Sequence, residues 1–139
     1  MEMNSERVYE SELYDIWKKN AFNPYILNDE GLKIEILDCG EPNTDQSGPD
    51  FRNARVKIGN ITYVGDIEID NSHSDWKAHG HYLNKRYNKV ILHTYLLQNN
   101  ASCFVYTQSG RRIPSLSFNS LFKEQVVVSS QDKTESKSK

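Results

Sequence analysis

The run Gly65-Asp66-Ile67-Glu68-Ile69-Asp70 constrains this chain more than any other stretch. Apolar and acidic residues alternate with the period of a β-strand, so the isoleucines go to one face and three carboxylates to the other. Along that face the acids follow one another at roughly 7 Å. Like charges in a row repel unless water or a positive group lies between them. A divalent cation is the economical partner, because magnesium, manganese and calcium prefer hard oxygen ligands. The bland alternative is a solvated strand face.

The segments around this strand predict its setting. Residues Glu6 to Asn20 carry Tyr9, Leu13, Ile16 and Trp17 at helical spacing, and Asn23-Pro24 stops the helix. Leu32 to Leu37 alternates as a strand, and Asp38 to Pro49 is dense in turn formers. Arg52 to Ile58 and Ile61 to Asp70 read as a hairpin closed by Gly59-Asn60. Asn71 to Ser74 breaks the pattern, and Asp75 to Arg86 follows as a helix with Ser74 as its N-cap. Lys89 to Leu97 is apolar on both faces, which predicts a central, doubly covered strand. Cys103 to Thr107 reads as an edge strand, and Pro114 marks Arg111 to Phe118 as edge or irregular. From Ser129 onward no apolar residue remains, so a domain over 1–128 and a disordered tail over 129–139 are expected. The fold class is α/β: an αβββαβ order, a mixed sheet flanked by helices, and one or two late strands.

Composition narrows the function classes. A chain of 139 residues suits one core, and a net charge of −2 gives no overall attraction to polyanions. No apolar run reaches the ~20 residues of a membrane-spanning helix, and the first residues lack a secretory signal, so no membrane association and a cytoplasmic location are expected. Cys39 and Cys103 are too few for a disulfide scaffold and have no nucleophile motif around them. No glycine-rich phosphate loop or Gly-x-Ser-x-Gly elbow is present.

Pro49-Asp50 opening the hairpin, the acidic third strand and the order of elements resemble the PD-(D/E)XK nuclease superfamily over roughly Glu6 to Leu97. The resemblance implies a restriction-endonuclease-like core. In it Asp50 matches the Asp of the Pro-Asp motif, Glu68 the acid of the second motif, and Glu10 the additional metal-organising Glu of the first helix. The lysine of that superfamily would fall at Asp70, a departure. If Asp66 is the second-motif acid instead, Glu68 takes the lysine position; Lys77, Lys85 or Arg86 would be a migrated cation. A second resemblance covers approximately Leu13 to Leu97. The ordered series Gly48-Pro49-Asp50-Phe51, Gly65-Asp66-Ile67-Glu68-Ile69, Ser74-Asp75-Trp76, His79, His81 and Val90-Ile91-Leu92-His93 is similar to an uncharacterised bacterial family known as a domain of unknown function. Its members are longer and often carry His where Asp70 stands, which makes this chain a short relative or a fragment.

Three of the four histidines, His73, His79 and His81, fall within nine positions. On a regular helix His79 and His81 diverge by roughly 200°, and only irregularity at Gly80 would bring both to one pocket. His79 reads as a core-facing, proton-transfer or metal-binding residue; His93, in the buried strand, reads as structural. Trp17, Trp76, Tyr14, Tyr63 and Phe51 read as core, and Arg111-Arg112 as a solvated pair. A regular hairpin sets Asp50 opposite Ile69 and Phe51 opposite Glu68, so Asp50 and Glu68 point to different sides. Their meeting requires a bulge, for which Gly65 offers a place, an odd-length turn, or Asp50 lying in the loop just before the strand. The expectation is a metal-dependent phosphodiesterase acting on DNA or RNA. Asp50, Asp66, Glu68 and Glu10 hold Mg²⁺ or Mn²⁺, and Asp50, Glu68, Asp70 and His79 carry the chemistry. The alternative is an inactive module of the same fold that binds nucleic acid or protein.

Overall fold

The computed structural model describes residues 2–19, 26–27, 31–45, 47–97 and 104–121. The expected stop at Asn23-Pro24, Cys103 and the tail over 129–139 lie outside them. The chain is an α/β structure: α1 (Glu2–Lys18), β1 (Ile26–Leu27), β2 (Lys33–Asp38), β3 (Glu41–Pro42), β4 (Phe51–Ile58), β5 (Ile61–Ser72), α2 (Asp75–Ala78), β6 (Val90–Leu97), β7 (Phe104–Tyr106) and β8 (Arg112–Ser117). One mixed sheet runs β1-β2-β4-β5-β6-β8-β7, and β3 pairs with β4. The β2, β4 and β5 pairings are antiparallel, whereas β6 lies parallel to both β5 and β8. Among the described residues no helix is long and apolar enough to cross a membrane.

The alternation in β5 sorts the two faces. Ile67 and Ile69 are buried with Leu13 and Trp17 of α1, Phe51, Val56 and Leu92. Burying large apolar side chains here contributes about 1.5–3 kcal/mol each. Glu68 and Asp70 point the other way, towards Trp76, Tyr87 and Val90, which form a second apolar cluster with Val105 and Ile113. The tip of the hairpin stands clear of both clusters. Tyr63 is therefore exposed rather than core, as are Ile61 and Val64.

The hairpin closes at Gly59-Asn60, with Ile58 paired to Ile61, and then departs from regularity. Ala54 still pairs with Gly65, but Phe51 pairs with Ile67, so two residues, Arg52 and Asn53, face Asp66 alone. This is a β-bulge. Asn53 takes a left-handed φ of 60°, which asparagine tolerates better than branched residues. Gly65 offered the place for such a bulge, but the extra residue lies across from it, on β4. Gly65 itself is required by the next strand: a Cβ there would stand 2.4 Å from the Lys89 carbonyl oxygen and 2.5 Å from Ile91 Cγ2.

Four further expectations need correction. The segment Asp75 to Arg86 is not one helix. It is one helical turn, α2, followed by 3₁₀ turns over His81–Leu83 and Lys85–Tyr87, because Gly80 adopts a left-handed φ of 76°. Ser74 does not cap α2 with its side chain; instead the Asp75 carboxylate accepts the Ser72 amide at 3.2 Å. Strand β8 is not an edge, since it lies between β6 and β7. Pro114 is tolerated because pairing with β6 begins only at Ser115, leaving 112–114 partnered on one side. Arg111 is not simply solvated either: its Nη2 donates to the carbonyls of Asn88 and Val90, at 2.6 and 2.9 Å.

Gly65→Ala forces β6 away from β5 at its parallel start. It is expected to cost about 1–3 kcal/mol, the range for overpacking a filled site, read as a lowered urea midpoint with unchanged m-value. Unchanged stability would show that the two strands are not in this contact.

Candidate metal centre

The bulge in β4 decides the site. By removing one step of register it sets Asp50 abreast of Glu68, where a regular hairpin would have opposed Phe51 to Glu68. The Asp50 amide donates to the Ile67 carbonyl at 3.1 Å and anchors the residue at the mouth of the strand. Both oxygens of its carboxylate are held: Oδ1 accepts the Tyr14 hydroxyl at 2.7 Å, and Oδ2 accepts the Ile69 amide at 2.8 Å. Tyr14 is thus more than a packing residue, although its ring also meets Phe51 edge-on.

Glu68 sits between two other acids and is close enough to share a proton with both Asp50 and Asp70. When ionised, all three are acceptors facing one another, and Glu68 Oε1 is buried with no hydrogen-bond partner among the described residues. Burial, then the charges of Asp50 and Asp70, push the Glu68 carboxyl well above the usual range. Burial raises Asp50 to about 6, against the opposing bonds from Tyr14 and Ile69. Glu10, reaching in from α1, is raised to about 7 by burial and then by Asp50 and Asp70. Burial, then Asp50, also raises the Tyr14 hydroxyl. The groups acting most strongly on Glu68 include no lysine or arginine. Such a cluster is stable only with extra protons or with a cation.

Histidines close the far side. His93 is wholly buried in β6, its Nε2 2.9 Å from Asp70 Oδ2 and its Nδ1 2.7 Å from Ser115 Oγ. His81 is also buried, its ring stacked on Tyr87 at 4.0 Å and its Nε2 3.0 Å from Glu68 Oε2. Burial lowers the His81 pKa to about 4. Apart from that approach to Glu68, the buried His81 Nε2 has no hydrogen-bond partner among the described residues. His79 is half-exposed and not core-facing; its Nδ1 is 3.9 Å from Asp70 Oδ1. The left-handed Gly80 brings both imidazoles to Asp70, which a continuous helix would have prevented.

Asp50, Glu68, Asp70, Glu10 and His79 therefore gather in one region. Asp66 is set apart: its Oδ1 accepts the Asn53 amide of the bulge at 3.3 Å, and the charges acting on it are Arg52 and Lys89. None of the suggested replacement cations is seen among the acids. Lys77 lies over the Tyr82 ring, Arg86 donates to Ser47 Oγ at 2.6 Å, and Lys85 is exposed. His81 and Tyr14 were not among the expected site residues. Gly80 was the one local signal for His81, and nothing in the spacing of α1 distinguished Tyr14 from its core neighbours.

The chain belongs to the family described as Protein of unknown function (DUF2851), whose model matches residues 10–139. No curated protein and no solved structure matches the chain.

The raised acids make a directional prediction about pH. Between the ordinary carboxyl value of 4.5 and the folded value of about 7, folded Glu10 keeps a proton that the unfolded chain has released, so stability falls as pH rises. Asp50, between 3.8 and about 6, and Glu68 act in the same sense. His81 opposes them, adding stability as pH rises from about 4 to 6.5, and has no further effect above that. In EDTA the melting temperature is expected to fall from about pH 5 to about pH 8, and Glu10→Gln to flatten the drop. A melting temperature that climbs over this range would contradict the acid cluster.

Proposed function

We propose that this protein is a metal-dependent hydrolase of phosphodiester bonds in nucleic acid, with Asp50 and Glu68 as the principal ligands of Mg²⁺ or Mn²⁺ and Glu10 facing the same ion. The observation that carries this reading is the bulge that sets Asp50 abreast of buried Glu68, with Glu68 Oε1 left without a donor among the described residues. The order α1, antiparallel β2-β4-β5, α2 and parallel β6 supports it, since the PD-(D/E)XK resemblance implies this arrangement.

The residues fit such an ion in number and type: hard oxygens, several carboxyl groups, and no cationic side chain seated among them within the described residues. Bound there, a divalent cation lowers the pKa of a coordinated water and offsets charge on the phosphoryl oxygens. The chain does the rest. Tyr14 and the Ile69 amide fix the orientation of Asp50, so its lone pairs need little rearrangement. His93, backed by Ser115, fixes Asp70 beside Glu68. His79, half-exposed at the rim, takes the proton released as water attacks phosphorus, or returns one to the departing oxygen.

A cleft of about 610 Å³ lined by Trp76, Lys77, Tyr82, Phe104, Val105 and Tyr106 supports a nucleic-acid substrate. Aromatic faces stack on unpaired bases, and a lysine suits a phosphate. Trp76, a wall of the cleft, also contacts His81 and His93, with ring centroids 5.3 and 5.2 Å away. The second reading, a binding module without turnover, is favoured by one observation: Asp70 stands where the superfamily carries its lysine.

With Mn²⁺ present, Glu68→Ala is expected to reduce cleavage of DNA or RNA by at least about 100-fold, the scale of losing a charged group at the reacting centre. Circular dichroism should show the variant still folded. Undiminished cleavage in that variant ends the assignment. Nucleic-acid binding without any cleavage by the unaltered protein leaves the binding-module reading in its place.

A further inference from the structure

Beside the all-oxygen position, a different set of donors converges. Asp70 Oδ1 faces His79 Nδ1 at 3.9 Å and His81 Nε2 at 4.0 Å, and one ligand atom from each of the three residues lies within 4.8 Å of the others. Donors bound at ~2.1 Å to one ion lie at most about 4.2 Å apart, so two of the gaps are already within reach. The half-exposed His79 closes the remainder by a small rotation.

Two of the three donors are also held from behind. Asp70 Oδ2 is taken by His93 Nε2 at 2.9 Å, and His93 is fixed in turn by Ser115, which leaves Oδ1 directed at the two imidazoles. His79 presents Nδ1 to Asp70, while its Nε2 lies 4.0 Å from Asp75 Oδ1. His81 is clamped between Tyr87, stacked at 4.0 Å, and Trp76, edge-on at 5.3 Å. Apart from the 3.0 Å approach of Glu68 Oε2, its buried Nε2 has no hydrogen-bond partner among the described residues, and neither has Glu68 Oε1. An imidazole positioned by packing with its nitrogen turned to carboxylates, and a ligand carboxylate supported by an outer histidine and hydroxyl, suit a metal site.

We propose a second cation position formed by Asp70, His79 and His81, which takes a divalent transition ion such as Zn²⁺ in preference to Mg²⁺. Imidazole nitrogen is a poor ligand for Mg²⁺ and a good one for first-row transition ions. Three protein ligands leave a coordination place open for water or an anion. Glu68, 3.0 Å from His81 Nε2 on one side and next to Asp50 on the other, stands between this position and the oxygen site. The inference goes beyond the hydrolase reading, because a transition ion can sit here in a protein that turns nothing over.

The full chain, stripped with EDTA, is titrated with Zn²⁺ and with Mg²⁺ by calorimetry, and with Co²⁺ by visible absorption. One Zn²⁺ per chain is expected to bind at least about 100-fold more tightly than Mg²⁺. His79→Gln, at a half-exposed position that leaves folding intact, should weaken Zn²⁺ by about 10–100-fold and alter the Co²⁺ band, with Mg²⁺ affinity unchanged. His81→Gln, checked for folding by its melting curve, should do the same. Equal affinity for the two ions, or a His79→Gln variant with unaltered Zn²⁺ affinity and Co²⁺ spectrum, overturns the proposal. The two readings fail separately: selective Zn²⁺ binding without cleavage sinks only the hydrolase, and cleavage with no Zn²⁺ preference sinks only this site.

Discussion

Mutual repulsion among carboxyl groups held out of water is the constraint around which this protein is organised. Glu10, Asp50, Glu68 and Asp70 come from a helix, a strand mouth and a central strand, and each is raised by or raises another of the set. Burying even one ionised carboxylate without a partner costs several kcal/mol. Among the described residues relief comes from a phenol, a backbone amide and three imidazoles, with no ammonium or guanidinium paired to the acids. What remains is a group of mutually raised carboxyls with one buried oxygen, Glu68 Oε1, lacking a donor among the described residues.

Small backbone irregularities produce the arrangement. An extra residue at Arg52-Asn53 changes which side chains of β4 and β5 stand abreast, and the left-handed Gly80 turns the chain so that His79 and His81 reach the same carboxylate. A second register shift, between Asp66 and Ile67 where β5 meets β6, accompanies the close approach of the strands at Gly65. Bulges and broken helices cost local hydrogen bonds, and their concentration around one cluster fits a site whose geometry outranks regularity.

Much of this was legible. Alternation in Gly65 to Asp70 read correctly as one apolar and one acidic face, and the doubly apolar Lys89 to Leu97 read correctly as a central strand, because burial on each face acts through period-2 patterning. That a regular hairpin would part Asp50 from Glu68 was legible too, with a bulge as one remedy, since two-residue turns fix register by counting. Its location was not, because Asn53 is only one of several residues able to adopt a positive φ. The long helix after Ser74 was misread because Trp76, His79, Tyr82 and Leu83 mimic a helical stripe. In the structure only Trp76 of these is buried, while Leu83 is exposed.

The linear order of residues by itself determined the class of fold, the acidic face of β5 and the oxygen-rich character of the centre, since hydrophobic period and charge are properties of neighbours along the chain. Tertiary structure alone decided that Asp50 meets Glu68, that Asp66 turns to the bulge and that Tyr14 and His81 join the cluster. Those outcomes depend on register between strands and on how a broken helix packs across a sheet, and contacts between segments far apart in sequence leave no periodic trace in either one.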